Sequence, residues 1–377
     1  MRKHSSFSFR FLTSALFLFV LAFALPALKD GSSVLFLLAA AVPGMILLFT
    51  LIPGRLFSLD LPSVSIVLVL CSFSIMASAP SSPDKALSQA LYCGAGLLFL
   101  IAGTVILRVY RPSFPVALIS AFFSLLFLSS SLWIPSLPFS LIAFGQVILL
   151  LSVSAFLALH ARLPALITAL AGCSVLLMQH DWISSLVCGI CFVLVFWSCS
   201  GSSLWSVLSL LSSGLLFAGF QLFHSGSPSY STESYLSRLS AMNWFSQNPQ
   251  PEDVSGSLPD GPVILSLGDQ YGLILLLVIV FMFVLLLLRC SSIAQCTRKL
   301  FHASVASGGM LMLGLDALAF LCSVLGILSL PAGDLPFFTA SLPELGGQMF
   351  LIGLISGVSA RNRADLSEDT HLAMLAR

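Results

Sequence analysis

Apolar residues fill this chain in long unbroken blocks, each closed by a short polar or Pro/Gly-containing turn. The blocks show no period-two alternation, so they predict helices and not barrel strands. Twelve are long enough, or nearly so, to cross a hydrocarbon core of ~30 Å. They lie near 11–28, 34–52, 63–79, 91–109, 115–133, 139–159, 163–178, 183–199, 205–223, 271–289, 303–329 and 345–360. The predicted fold class is all-α, a polytopic transmembrane bundle of about 12 helices.

One stretch breaks the pattern. From His224 to Gln270 there is no membrane-length apolar block, and the segment carries Glu233, Arg238, Glu252, Asp253, Asp260 and Asp269. It reads either as the longest exposed connection of the bundle or as the part that carries chemistry.

Composition agrees with a membrane protein. Hydrophobic residues make up 58% and charged residues 8%, where soluble domains carry about 25% charged. A net charge of +1 and the lack of a long basic run exclude a nucleic-acid partner. Most of the nine cysteines fall inside apolar blocks and behave as small hydrophobes. Cys290 and Cys296 flank a short basic loop without a histidine partner, so no metal site is predicted. The basic N-terminus followed by an apolar run resembles a signal peptide, with Ala22-Phe23-Ala24 as a cleavage-like triplet. The run continues through Leu25-Pro26-Ala27-Leu28, and a retained first helix is expected.

Basic residues then orient the bundle. With the N-terminus in the cytoplasm, thirteen Lys and Arg fall inside and three (Lys29, Lys85, Arg238) outside. Both termini are expected in the cytoplasm and loop 224–270 on the outer face, where most acidic residues also fall.

Three acids stand out. Asp181 lies in the tight turn Gln179-His180-Asp181-Trp182, and two readings are open: a helix cap, or a contact to a head group or cation. Asp316 lies inside the eleventh block, where a charge costs about 2.5–3.5 kcal/mol, so it is either functional or snorkels to an interface. Glu344 opens the last helix and suits its dipole. No Ser-His-Asp set, phosphate-cradling Gly loop or His-Glu-x-x-His motif is present.

Several short runs occur in a familiar order. Ser72-Phe73-Ser74-Ile75-Met76-Ala77-Ser78-Ala79 with Gln89 beyond it resembles a Tyr-Ser-Ala-Ser helix end followed by Arg-Gln. Leu132-Trp133-Ile134 resembles Arg-Arg-Trp-Ile, and Leu177-Met178-Gln179-His180-Asp181 resembles Leu-Leu-Gln-Pro-Asp. Gly268-Asp269-Gln270-Tyr271-Gly272 resembles Gly-Glu-Glu-Leu-Gly. Leu325-Gly326-Ile327-Leu328 through Leu335-Pro336-Phe337-Phe338 resembles Leu-Gly-Leu-Leu-Pro…Leu-Pro-Phe-Ile. Together these runs resemble the SEDS family (shape, elongation, division and sporulation) of FtsW/RodA-type cell-wall proteins. The family has ten spans, which correspond to residues 63–360 here; residues 1–62 would be an added N-terminal helix pair and 361–377 a cytoplasmic tail.

The resemblance implies a glycosyltransferase of the bacterial inner (cytoplasmic) membrane. Such proteins polymerise a lipid-linked disaccharide-pentapeptide cell-wall precursor into peptidoglycan on the outer face, with a transpeptidase (penicillin-binding protein) as partner. A carboxylate must take the proton of the acceptor sugar hydroxyl, and the pyrophosphate leaving group must be stabilised. The family's loop Asp aligns with Gly261, and Asp260 stands one residue earlier. Asp260 is therefore the expected base, Arg238 a pyrophosphate contact, and Asp181 and Asp269 substrate-binding groups. No cofactor is implied, though the pyrophosphate chemistry is compatible with a divalent cation. The family's Asn, Tyr-Gly-Gly-Ser-Ser and Arg-Arg positions are Phe320, Ala340–Glu344 and Ser131-Leu132 here. Those replacements leave two other readings open: an inactive scaffold of a cell-wall complex, or a carrier of the lipid-linked precursor.

Overall fold

The computed structural model describes residues 20, 33–51, 57, 59–78, 83–133, 141–201, 203–223, 239, 242, 244, 263–327 and 333–375. Nearly all of them are helical, and none is in a strand. The thirteen described helices are α1 (Ser33–Leu51), α2 (Leu61–Ser78), α3 (Pro83–Val109), α4 (Phe114–Leu128), α5 (Ser130–Trp133), α6 (Ile142–Ala158), α7 (Arg162–Met178), α8 (Trp182–Ser200), α9 (Ser203–Phe223), α10 (Val263–Tyr271), α11 (Leu273–Gln295), α12 (Leu300–Val324) and α13 (Leu342–Leu375). Eleven of the twelve predicted spans thus appear as helices. Apart from Val20, the block at 11–28 lies outside the described residues. The loop prediction needs one amendment: its last part, α10, is a nine-residue helix carrying Asp269.

Among the described residues, five helices are long and apolar enough to cross a membrane, and five shorter apolar helices accompany them. Large apolar side chains stay exposed on their outward faces: Leu118, Phe122 and Phe123 on α4, Leu210, Leu211 and Leu215 on α9, Phe281 and Leu288 on α11. In water these would form patches far beyond what a soluble monomer shows. In lipid they face their natural solvent. The protein is a multi-pass membrane protein.

Short turns join the spans. After α6 the chain reverses at His160 (φ 57), with Ala161 N–H donating to Phe156 O; after α7 it reverses at His180 (φ 60), with Asp181 N–H donating to Leu176 O. Both are left-handed helix endings of the Schellman type, with His in the position usually held by Gly.

Helices α3 and α13 pack extensively against each other. Their backbones meet at Gly103 and Gly353, where a Cβ would strike the carbonyl oxygens of Phe350 and Leu100. Thr104 Oγ1 donates across this seam to Gly353 O (3.0 Å). Small residues at a helix crossing, with a hydroxyl bridging it, are a packing device suited to lipid, where hydrophobicity gives no drive for association. Helix α2 lies deep in the bundle, with most of its residues buried, and α1 rests on α2 and α3.

The end where α2 begins is tied by ions. Asp60 is buried and accepts a two-pronged bond from Arg289 at the end of α11: Nη2 to Oδ1 at 2.7 Å and Nε to Oδ2 at 3.0 Å. Ser63 Oγ (2.7 Å) and Ser359 Oγ (3.3 Å) also donate to the carboxylate, and Asp60 N–H donates to Ser356 Oγ (2.8 Å). One residue thereby joins α2, α11 and α13. Burial alone would raise the Asp60 pKa. The bonds from Arg289 and Ser63 and the charges of Arg289 and Arg363 outweigh it, and the carboxyl titrates below its ordinary value.

Candidate functional site

At the opposite end, residues 333–341 connect α12 to α13 and dip into the bundle. Leu335, Phe337, Phe338 and Thr339 are all buried. Phe337 has φ 72, a left-handed conformation that is uncommon for a bulky residue and marks stored strain. Its N–H donates to Gln348 Oε1 at 2.7 Å, and its ring packs 6.5 Å from that of Phe283. A Leu-Pro-Phe-Phe run inside the bundle satisfies its apolar side chains, but its backbone needs side-chain partners.

Those partners come from three helices. Gln89 on α3 donates from Nε2 to Thr339 O (3.0 Å) and to Ser74 Oγ on α2 (2.9 Å). Thr339 Oγ1 donates to Glu344 Oε2 on α13 (2.6 Å) and accepts from Ser341 N–H (3.2 Å). Ser74, Gln89 and the 335–338 run are residues that carried the sequence resemblance. They are far apart in the chain and meet here.

Asp181 sits at the start of α8, where its Oδ1 accepts from Ser184 N–H at 3.1 Å. The capping reading is thus realised, and the side chain stays half-buried. In the same turn Gln179 donates from Nε2 to Leu128 O, while its Oε1 is buried with no partner among the described residues. The inner face of α8 packs on α12, where Cys191 Sγ donates to Gly308 O (3.4 Å).

Asp316 projects from α12 into the same region. It lies about 12 Å along the helix from Val324, at 1.5 Å per residue. No hydrogen bond or ion pair engages it among the described residues. The carboxylates of Asp181 and Glu344 are within electrostatic range of it, as are the thiols of Cys188 and Cys191. Three acids from α8, α12 and α13 therefore gather at one end of the bundle. Asp181 is engaged by a helix terminus and Glu344 by Thr339; Asp316 is not engaged. Chemically this is an acceptor-rich surface, suited to hydroxyl or ammonium donors. Among the described residues, no group of three or more His, Cys, Asp and Glu could hold a metal ion.

Asp269 is carried by another helix. It lies half-buried on α10, which packs against α2 and α11. The glycines flanking it have separate tasks. Gly272 (φ 88) makes the break between α10 and α11, and a Cβ on Gly268 would meet Met242 Sδ at 2.6 Å. Gly268 therefore lets the buried Met242, a residue of the long loop, seat on α10. Asp260 and Arg238 lie outside the described residues.

No protein-family model matches the chain, and no curated protein matches it in sequence. Solved structures do. A chain of a peptidoglycan synthase complex, solved to show the structural coordination of polymerization and crosslinking, superposes with a TM-score of 0.60 at 20% identity, covering 81% of this chain and 98% of its own. A mutant of the rod shape determining protein RodA from Thermus thermophilus gives 0.59 at 19%, covering 80% and 98%. The chain has the RodA fold. Almost the whole length of each neighbour is matched, so the likeness seen in short runs of sequence extends over an entire bundle. At this identity the agreement is in architecture.

Proposed function

We propose that this protein is a SEDS-type membrane protein of peptidoglycan synthesis, and that it polymerises a lipid-linked disaccharide precursor at the outer face of the bacterial inner membrane. The observation that carries the reading is the RodA fold, matched over 98% of the neighbour's length. It is supported by the meeting of Ser74, Gln89 and Thr339 at the polar end of the bundle. In this reading residues 1–62 are an added helix pair on a ten-helix core. Asp260 in the long loop takes the proton of the acceptor hydroxyl as the glycosidic bond forms, and Arg238 meets the pyrophosphate that leaves. Asp181 and Asp269 flank the bound head group. Both termini lie in the cytoplasm, no organic cofactor takes part, and a divalent cation would arrive with the pyrophosphate. A penicillin-binding transpeptidase is the expected partner, since one neighbour comes from a complex that couples polymerization to crosslinking.

One observation favours a second reading, that of a scaffold. Asp181 and Glu344 are already held by a helix terminus and by Thr339, as structural groups are. The readings separate in one experiment. Purified protein given lipid-linked precursor, with and without a transpeptidase partner, yields glycan strands if it is a polymerase, and the Asp260→Ala variant yields none. A scaffold yields none in either form, and Asp260→Ala supports cell growth as well as the wild type does.

A further inference from the structure

A cavity of about 260 Å³ lies between α1, α2 and α3, with Met349 of α13 at its floor. Its wall is made of aliphatic side chains and the thiols of Cys71 and Cys93. The one hydroxyl among its lining residues, Ser72 Oγ, donates to Leu68 O within its own helix at 2.9 Å. Small residues on two walls leave the room: Ala41 on α1, Ala90 and Gly94 on α3. The cavity follows α1 from Leu37 to Ile46 and α3 from Leu87 to Leu97, about 15 Å at 1.5 Å per residue, the depth of one leaflet of a ~30 Å hydrocarbon core. It lies in the half of the bundle where α2 finishes and α3 starts, next to the polar end.

Mouth and floor differ in exposure. Leu37, Met45 and Leu91 at the mouth are exposed, and helical spacing puts them on the same faces as the exposed Leu48 of α1 and Leu98 of α3. The mouth is therefore continuous with the lipid-facing surface of the bundle. Cys71 and Met349 at the floor are buried. Water finds too few partners in such a space, which stays dry. Left empty, it would forfeit the dispersion contacts of its whole lining. The apolar molecule that a bilayer supplies through a lipid-facing mouth is a hydrocarbon chain, and a slot one leaflet deep suits a chain that is itself one leaflet long. We propose that the cavity takes one acyl chain of a bilayer phospholipid, which fills the space between α1 and the α2–α3 pair and reaches α13 at Met349. The inference does not depend on the polymerase reading.

The test uses the full-length protein in phosphatidylethanolamine nanodiscs doped with an analogue that carries a diazirine midway along one acyl chain. Irradiation converts the diazirine into a carbene that inserts into the side chains it touches, and peptide mass spectrometry locates the adducts. The wild type is expected to carry adducts on the peptides that hold Cys71 and Met349, which a lipid on the outer surface of the bundle does not reach, as well as on lipid-facing α4 around Phe122. Ala41→Phe and Ala90→Phe each put a phenyl ring into the cavity, from α1 and from α3. Either should lower the Cys71 and Met349 adducts about tenfold or more, the range that overpacking a filled space costs, and leave the α4 adducts unchanged. Ala41 is exposed, so Ala41→Phe keeps the test open if Ala90→Phe does not fold. Adducts on α4 alone in the wild type, or Cys71 and Met349 adducts that survive the substitutions, overturn the proposal. So does their loss when a polyprenyl phosphate is added in equal amount to the analogue, which would mark the cavity as an isoprenoid site.

Discussion

The Asp60–Arg289 pair predicts an asymmetry that a double-mutant cycle can read. The two side chains are unequally sheltered, with Asp60 3% and Arg289 38% exposed. Arg289→Met strands a carboxylate in the bundle, and breaking a buried pair from that side costs about 3–5 kcal/mol. Ser63 and Ser359 still donate to Asp60, which favours the lower end, ~3 kcal/mol. Asp60→Asn leaves a guanidinium that can turn to water, so its cost is about 1–2 kcal/mol. The double variant removes both charges and should cost about 2 kcal/mol, well short of the sum, because the stranded charge is gone. Chemical unfolding in detergent micelles, followed by circular dichroism, measures all three. Additive costs, or an Arg289→Met that is milder than Asp60→Asn, would refute the reasoning. The pH dependence has a definite sign. The folded pKa of Asp60 is lowered, so its contribution is complete above the unfolded value of about 3.9 and is lost as pH falls through the lower folded value. Wild-type stability attributable to this pair should be flat from pH 7 to 5.

Two further perturbations follow from the packing and the site. Gly353→Ala puts a Cβ against the Leu100 carbonyl and should cost about 1–3 kcal/mol in the same unfolding assay, whereas Gly214→Ala on α9, with open space around it, should stabilise by about 0.5–1 kcal/mol; equal effects would mean the α3–α13 seam is not tight. Asp316→Asn removes a carboxyl that no hydrogen bond or ion pair engages among the described residues from a membrane helix and should raise stability by about 1–2 kcal/mol; a destabilised variant would give Asp316 a structural role instead.

How much of this could be read from sequence varied with the physics involved. Span positions were legible because a continuous apolar block has one solution in lipid, and most ends shifted by only a few residues where polar groups decide them. The largest shifts were at α13, which runs on to Leu375 and not to near 360, and at α3, which begins at Pro83 and not near 91 because Asp84 and Lys85 still form a polar first turn. The helix in the long loop escaped notice because α10 is only nine residues long. Asp60 drew no attention as a lone charge before an apolar block; its partner Arg289 is 229 residues away, and only the tertiary fold brings them together. The Gln89–Thr339 bond was equally hidden by separation, although both ends lay in or beside runs singled out for their resemblance. Asp316 was legible as an expense. That Asp181 and Glu344 are engaged and Asp316 is not could be seen only in three dimensions.

The central claim is that this RodA-like bundle makes glycan. It is tested most directly by incubating the purified full-length protein with lipid-linked disaccharide-pentapeptide and resolving the products by size, alongside the Asp260→Ala variant. The account predicts strands from the wild type and unreacted precursor from Asp260→Ala. Strands of wild-type length and yield from Asp260→Ala, or unreacted precursor from the wild type even with its transpeptidase partner present, would contradict it.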